Sequence, residues 1–180
     1  NVDYVDLALI HWPSPQNQVP LRETLEALLE AKAQGLTKAI GLSNFTIAQM
    51  KEAIEIAGAE NILTNQIEVH PFLQNKKVVE FCKAHGIQVT AYMPLAYGKV
   101  MKDETLLQIA QKHKTTPANV ALSWLLDQNM IVIPSSTKRE NLQSNLQAHK
   151  GFLAADDFTA IAKLDRGERL ANPGFSPAWD

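Results

Sequence analysis

The sequence lacks the features that define several functional classes. It has one cysteine, Cys82, so no internal disulfide can form, and no apolar run is long enough to span a membrane. Lysine and arginine (17) nearly balance aspartate and glutamate (19), and the net charge of −2 offers no basic excess to nucleic acid or an anionic membrane. Together with the lack of a visible signal peptide, these absences predict a cytoplasmic protein without nucleic-acid or membrane partners.

Common ligand motifs are also missing. No Gly-x-Gly-x-x-Gly turn follows a strand-like run, which counts against a Rossmann dinucleotide domain. No Gly-Lys-Ser/Thr loop indicates a nucleoside triphosphate site. His70, His85, His113 and His149 lack the spacing to cysteine or acidic partners that zinc requires, so no metal site is predicted.

Size and composition are sufficient for one folded domain. The 180 residues are 46% hydrophobic and 20% charged, which is ordinary for a globular protein. We therefore predict a single domain over residues 1–180. Cys82 lies in the apolar run Val78–Cys82, where a buried structural thiol is favoured over a reactive one.

Short apolar runs alternate with amphipathic helical segments along the chain. The predicted strands are Val5–Ile10, Ala39–Leu42, a run from Ile62, Ile87–Ala91 and Met130–Ile133. The predicted helices span 21–34, 46–57, 75–85, 103–113, 117–127, 139–148 and 156–164. Repeated strand-then-helix units predict an α/β protein with a parallel sheet, either open and doubly wound or part of an eight-stranded barrel.

The first apolar run is predicted to be a buried strand. An apolar strand in a parallel sheet needs neighbours on both edges and cover on both faces. This run begins five residues into a chain that has no initiator methionine, so we expect the chain to begin partway through a fold.

Polar or aromatic residues follow every predicted strand. In chain order they are His11 and Trp12, Ser43 and Asn44, Asn65 and Gln66, Tyr92, and Ser135 and Ser136. In a parallel barrel the carboxyl ends of the strands carry the active site. Strands also end in polar residues simply because loops are polar. From the pattern alone, a small-molecule site and ordinary loop polarity are therefore about equally expected.

Five blocks of residues resemble the aldo-keto reductase family, in the family's order and at its spacings. They are Asp3–Pro13, Ile40–Phe45, Asn65–Pro71, Ala91–Leu95 and Ile133–Thr137. The resemblance implies a (β/α)8 TIM barrel of which about five units, the fourth to eighth strands, are present. Within the family, the ending Pro177–Asp180 is similar to bacterial 2,5-diketo-D-gluconate reductases of the B type.

This resemblance implies hydride transfer from NADPH to an aldehyde or ketone. His11 matches the histidine that orients and polarises the substrate carbonyl, a role that suits an imidazole donor. Ser43, Asn44 and Gln66 match the residues that hold the nicotinamide carboxamide, whose donors and acceptor suit hydroxyl and amide groups. Tyr92 matches the aromatic residue that stacks on the nicotinamide ring.

Other matched positions serve the rest of the cofactor and the substrate. Leu95 matches a position that lies beside the pyrophosphate of the cofactor in the family, and Asn145 matches a position near the adenine. Trp12 and Trp179 match positions that line the substrate pocket of a small carbonyl compound.

The last block departs from the family pattern. The lysine that usually meets the 2′-phosphate of NADPH is Ser135 here, and the usual arginine further on is Asn141. Ser136 is retained, and Thr137, Lys138 and Arg139 follow it. Because lysine and arginine both bind phosphate, we expect Lys138 and Arg139 to take over this role, although both also fit a solvated helix start.

The resemblance also implies an aspartate, a tyrosine and a lysine that no residue here matches; the tyrosine is the family's proton donor. We therefore expect a chain without the first three strand–helix units and inactive by itself. Alternatives are a fragment that only binds the cofactor, or one that self-associates through its open sheet edges. The full-length protein that contains this chain is expected to be a monomer.

Overall fold

The computed structural model describes residues 2–180 as alternating strands and helices. The strands are β1 (Val5–Ile10), β2 (Thr37–Ser43), β3 (Ile62–Glu68), β4 (Gln88–Tyr92) and β5 (Ile131–Val132). The α-helices are α1 (Leu21–Ala33), α2 (Ile47–Ala57), α3 (Lys76–Ala84), α4 (Glu104–Lys112), α5 (Pro117–Asp127), α6 (Arg139–Asn145) and α7 (Ala155–Ala162). Short 3-10 helices cover Pro15–Asn17, Ala59–Asn61 and Ala96–Lys102.

The sheet is parallel, and its strand order follows the chain order from β1 to β5. Leu9 of β1 pairs with Gly41 of β2, and Ser43 pairs with Gln66 of β3. A β-carbon on Gly41 would lie 2.9 Å from Thr64 Cγ2, so this close strand approach requires glycine. The predicted α/β class with a parallel sheet is confirmed.

The prediction of a buried first strand is wrong. Every residue of β1 is exposed or half-buried, and Val5 keeps 44% of its surface accessible. The cause is its position: β1 is at one end of the strand order and pairs with β2 alone among residues 2–180. An apolar sequence therefore stands here at a sheet edge.

The chain divides into two compact units. The first contains residues 2–67, 76–89 and 172–180. Its core is apolar, and its buried side chains include Leu25, Ile40, Leu42, Phe45, Met50, Ile62 and Cys82. The buried thiol of Cys82 confirms the prediction for that residue.

The second unit contains residues 68–75 and 90–171. Helix α5 is buried from Pro117 to Leu125, so it packs on all sides as a central helix. Leu106, Ile109 and Ile161 complete the apolar interior from α4 and α7. The predicted cap of α5 is confirmed, since Thr116 Oγ1 accepts a hydrogen bond from Asn119 N–H at 3.2 Å.

Several element ends differ from the prediction. Strand β5 has two residues instead of four. The Met130 N–H donates to the Leu125 carbonyl of α5 at 3.2 Å, and Pro134 follows two residues after the strand ends. Helix α6 ends at Asn145, three residues early, and α7 runs from Ala155 to Ala162. No helix among residues 2–180 is long and apolar enough to cross a membrane.

Helix α2 begins at a capping box that the sequence predicts. Thr46 Oγ1 accepts from Gln49 N–H at 3.3 Å, and Gln49 Oε1 accepts from Thr46 N–H at 3.0 Å. Each bond satisfies an amide that the first helical turn leaves without a partner.

Thr46→Ala is expected to lower the free energy of unfolding by about 1 kcal/mol, because it removes the side-chain acceptor of this box. Thr46→Ser, which keeps the hydroxyl, should restore most of the loss. Urea unfolding measures both changes, with Thr159→Ala on the exposed face of α7 as the control. An equal loss in Thr159→Ala would contradict the role of the cap.

Candidate functional site

Strands β2 and β3 of the first unit end at a group of polar residues. Ser43 is fully buried and donates through Oγ to the Gln66 carbonyl at 2.8 Å. The Asn44 N–H donates to the same carbonyl at 2.9 Å. The structure thus brings together Ser43, Asn44 and Gln66, three of the predicted cofactor residues.

Asn44 holds an unusual backbone conformation. Its φ is 65°, in the left-handed region that asparagine tolerates better than most residues. Its side-chain Nδ2 donates to the His11 carbonyl at 3.0 Å and lies 3.1 Å from Ser43 Oγ. Asn44 therefore ties the end of β1 to the end of β2, while the His11 side chain stays exposed.

Asn65 has a structural role that sequence reasoning missed. Its side-chain Nδ2 donates to the Phe45 carbonyl at 3.0 Å, and its Oδ1 accepts from Phe45 N–H at 3.4 Å. This pair of bonds fixes the turn that follows Asn44. The adjacent pair Asn65–Gln66 at a strand end was the available signal, because one of two consecutive strand residues must point to the opposite face.

Trp12 and Trp179, the predicted substrate residues, are brought together in the first unit. Their ring centroids are 6.0 Å apart, and Phe175 packs edge-on against Trp12 at 5.4 Å. Asn172 Oδ1 accepts from Trp179 Nε1 at 2.9 Å, which orients the second indole. The three rings form an aromatic cluster with polar anchoring.

Tyr92 ends β4 in the second unit and is half-buried. Burial raises the pKa of its phenol strongly, the nearby Glu68 charge raises it further, and Arg169 opposes this effect. The phenol therefore stays protonated and neutral across the physiological range. Because the raised pKa makes the phenol a weaker acid, the ring suits a stacking contact better than proton transfer.

A cavity of about 530 Å³ lies in the second unit next to the end of β5. Its lining includes four predicted cofactor residues: Leu95, Ser135, Ser136 and Asn145. Thr137, Lys138 and Arg139 are exposed and do not line it. Ser136 Oγ accepts from Lys138 N–H at 3.1 Å and from Asn141 Nδ2 at 3.2 Å, which shapes the turn into α6.

Asn145 gives this cavity a donor for a ligand. Its Nδ2 is buried and has no hydrogen-bond partner among residues 2–180. A buried amide N–H without an acceptor is costly, and a ring nitrogen of an adenine is a suitable acceptor. The residues present therefore fit the adenosine end of a dinucleotide.

Glu68 and His70 form a buried pair in the second unit, and sequence reasoning gave His70 no role. Both side chains are fully buried, and His70 Nε2 donates to Glu68 Oε1 at 2.9 Å. The Glu68 carboxylate also accepts from the N–H groups of Leu170 and Ala171, each at 2.8 Å. The signal in the sequence was the i, i+2 spacing, which places both side chains on one side of an extended chain.

Within the described part of the chain, no group of three histidine, cysteine or acidic side chains is arranged to hold a metal ion. The fold and these residues define a parallel α/β protein with its polar ligand-binding candidates at the carboxyl ends of the strands.

The chain belongs to the aldo/keto reductase family, whose model matches residues 1–166. It is 59% identical over 179 residues to a methylglyoxal reductase DkgB of Escherichia coli O157:H7, an alignment that covers 99% of this chain and 67% of that protein. The family prediction made from the five blocks is confirmed.

Solved structures give the same result. One, named provisionally as a 2,5-diketo-D-gluconic acid reductase B, matches with a TM-score of 0.92 and 37% identity over 99% of this chain and 63% of its own. A mutant of Gox0644 in complex with NADPH matches with a TM-score of 0.88 and 39% identity, over 98% of this chain and 65% of its own. The chain thus spans about two thirds of the proteins that it matches.

Proposed function

We propose that the protein containing this chain reduces aldehydes or ketones with NADPH, and that this chain supplies the cofactor-holding residues and the carbonyl-orienting histidine. The observation that carries the proposal is the bonded group Ser43, Asn44 and Gln66 at the ends of β2 and β3. The family match and the NADPH complex of a solved relative support the choice of cofactor.

Small carbonyl compounds are the proposed substrates. The relative from E. coli O157:H7 is named for methylglyoxal, and a solved neighbour is named for 2,5-diketo-D-gluconic acid. Both are compact compounds with adjacent or nearby carbonyl groups. The aromatic pair Trp12 and Trp179 is proposed as a wall of their pocket.

Each residue has a specific task in this proposal. His11 donates to the substrate carbonyl oxygen and stabilises the charge that develops there. Ser43, Asn44 and Gln66 hold the carboxamide, and Tyr92 packs on the nicotinamide face. NADPH, when bound, supplies the hydride, while Leu95, Ser135, Ser136 and Asn145 hold its other half.

NADPH binding by this chain tests the proposal directly. Asn145→Ala is expected to weaken binding about five- to tenfold, because it removes a buried donor worth about 1 kcal/mol or slightly more. Quenching of protein fluorescence on titration with NADPH measures the dissociation constant. Gln143→Ala, exposed on the same helix, is the matched control, and no saturable quenching in the unaltered chain would overturn the proposal.

The 2′-phosphate of NADPH is assigned to Lys138 and Arg139, although neither lines the cavity. The double variant Lys138→Ala/Arg139→Ala is expected to lower the preference for NADPH over NADH by about 10- to 100-fold, because charged hydrogen bonds contribute roughly 1.5–3 kcal/mol. Titration with both cofactors measures the ratio. Lys114→Ala/Lys163→Ala removes two charges elsewhere, and an equal loss in that control would contradict a local phosphate contact.

A second proposal, self-association through β1, is favoured by the apolar edge. Val5 is 44% exposed on a strand that has a neighbour on one side only within residues 2–180, and Tyr4, which directly precedes that strand, is 48% exposed. Unpaired strand edges recruit other strands. Sedimentation velocity should show a dimer or larger species that Val5→Lys disrupts, and a monomer over the accessible concentration range would remove the proposal.

A further inference from the structure

A second cavity lies in the first unit, and no residue given a cofactor or substrate role above lines it. Its volume is about 420 Å³, within the range of small-molecule sites. It is bounded by the turn after β1, by the first turns of α1 and α2, and by residues 175–177. His11, Trp12, Ser43, Asn44, Gln66 and Trp179 do not line it.

The walls of this cavity are held in place by named contacts. Ser14 Oγ accepts from Val19 N–H at 2.9 Å, which closes the turn on one side. On the other side, Phe175 packs edge-on against Trp12, and the Asp180 carboxylate accepts from Ile47 N–H at 2.9 Å. A cavity whose walls are already fixed loses less conformational entropy on binding.

The lining is mixed and carries one charge. Pro13, Pro15, Leu21, Phe45, Phe175 and Pro177 give it aliphatic and aromatic surface, and about as much of it is polar, from residues such as Ser14, Asn17 and Thr24. Glu52 is the single charged residue among those that line it. Phe175 is 51% exposed, so part of its ring is open to a ligand.

We propose that this cavity binds a small organic ammonium ion with a compact apolar body. The apolar part fits among the proline and phenylalanine side chains, and the ammonium group pairs with the Glu52 carboxylate. A cation also gains from contact with an aromatic face. Gln49 is a weaker acceptor for the cation, because its Oε1 is neutral and already accepts from both Thr46 N–H and Thr46 Oγ1.

Titration of the 180-residue chain with benzylammonium chloride tests this site, with benzyl alcohol as the neutral comparison. Chemical-shift changes of the Thr24 and Ser176 amides, both in the lining, give the dissociation constants. We expect saturable binding of benzylammonium, with benzyl alcohol weaker. Glu52→Gln should weaken benzylammonium binding about threefold to fivefold at low ionic strength, the size typical of an exposed ion pair, and added salt should reduce this difference.

Glu55→Gln is the matched control, because Glu55 is exposed on the same helix and does not line the cavity. It should leave the dissociation constant nearly unchanged. Phe175→Leu, which keeps an apolar wall but removes the ring, should weaken benzylammonium more than benzyl alcohol. Equal effects of Glu52→Gln and Glu55→Gln, or equal affinity for the two probes, would overturn the proposal. The assay contains no NADPH, so its result is independent of the proposed reductase function.

Discussion

Replacing Glu68 by alanine is expected to lower the free energy of unfolding by about 3–5 kcal/mol, the cost of removing one partner from a buried charged network. The variant leaves three donors without their acceptor: the buried His70 Nε2 and the half-buried N–H groups of Leu170 and Ala171. The His70 ring cannot rotate towards another acceptor without breaking a second hydrogen bond, because its Nδ1 accepts from Phe72 N–H at 3.3 Å. Urea unfolding measures the loss.

Two variants make this prediction specific. Glu68→Gln keeps one oxygen as an acceptor, so its loss should be smaller than that of Glu68→Ala. Glu80→Ala changes an exposed glutamate on α3 and should shift the free energy of unfolding by less than about 0.5 kcal/mol. A loss below about 1 kcal/mol in Glu68→Ala would show that the network contributes little to stability.

The same pair predicts a dependence of stability on pH. Burial raises the pKa of the Glu68 carboxyl, but the hydrogen bonds from His70, Ala171 and Leu170 outweigh burial and hold it below the ordinary value of 4.5. Because the pKa is lower in the folded state, the stabilisation is complete above the unfolded-state value and is lost as the pH falls through the folded-state value. The difference between Glu68→Gln and the unaltered chain should therefore narrow in acid, as urea unfolding at a series of pH values can show.

The 180-residue chain, mixed with NADPH and methylglyoxal, is expected to oxidise NADPH no faster than the buffer alone. General acid catalysis typically contributes about 10²- to 10⁴-fold, and no described tyrosine is suited to it. Burial raises the pKa of Tyr92, which makes its phenol a weaker acid. Tyr4 and Tyr97 are 48% and 76% exposed, and neither matches the proton donor of the family.

The loss of NADPH absorbance measures this rate, and the DkgB protein of E. coli O157:H7 serves as the positive control. The fluorescence titration with NADPH on the same sample shows whether the chain is folded and competent to bind. In the isolated chain, His11→Ala should change neither the rate of NADPH oxidation nor the dissociation constant for NADPH by much. Substrate-dependent turnover that His11→Ala abolishes would contradict the prediction and would require a proton donor within these residues.

Local signals account for the parts of the fold that the sequence predicts well. The Thr46–Gln49 capping box and the Thr116–Pro117 start of α5 depend on contacts within four residues, so their sequence carries nearly all the information. Gly58 ends α2 with a φ of 79°, as its position after the helix indicates. The alternation of these elements is then enough to predict a parallel α/β class.

Burial and element length depend on neighbours that the local sequence does not specify. The apolar composition of β1 predicts a central strand, but the strand order puts it at an edge. The i, i+2 spacing indicates only the pairing of Glu68 with His70; the amides that complete the network lie 102 and 103 residues away, and no local pattern indicates them. Non-local contacts of this kind are fixed only by the tertiary fold.

The candidate site divides in the same way. Ser43, Asn44 and Gln66 were predictable, because polar residues at the ends of adjacent parallel strands lie close together. The second cavity was not, because its lining combines Glu52 with residues such as Phe175, far apart in the chain. The family resemblance supplied the roles of Ser43, Asn44 and Gln66, and it supplied no role for the residues that line the second cavity.

The single buried thiol gives this protein an internal probe of its own opening motions. Burial raises the pKa of Cys82 to about 11, and its side chain has no solvent exposure, so a thiol reagent cannot modify it while α3 stays packed. The labelling rate therefore reports how often the surroundings of α3 open, and mass spectrometry counts one added label per molecule. Thiol labelling thus gives the local opening free energy of the first unit without denaturant, while exchange of the Leu170 and Ala171 amides gives that of the second.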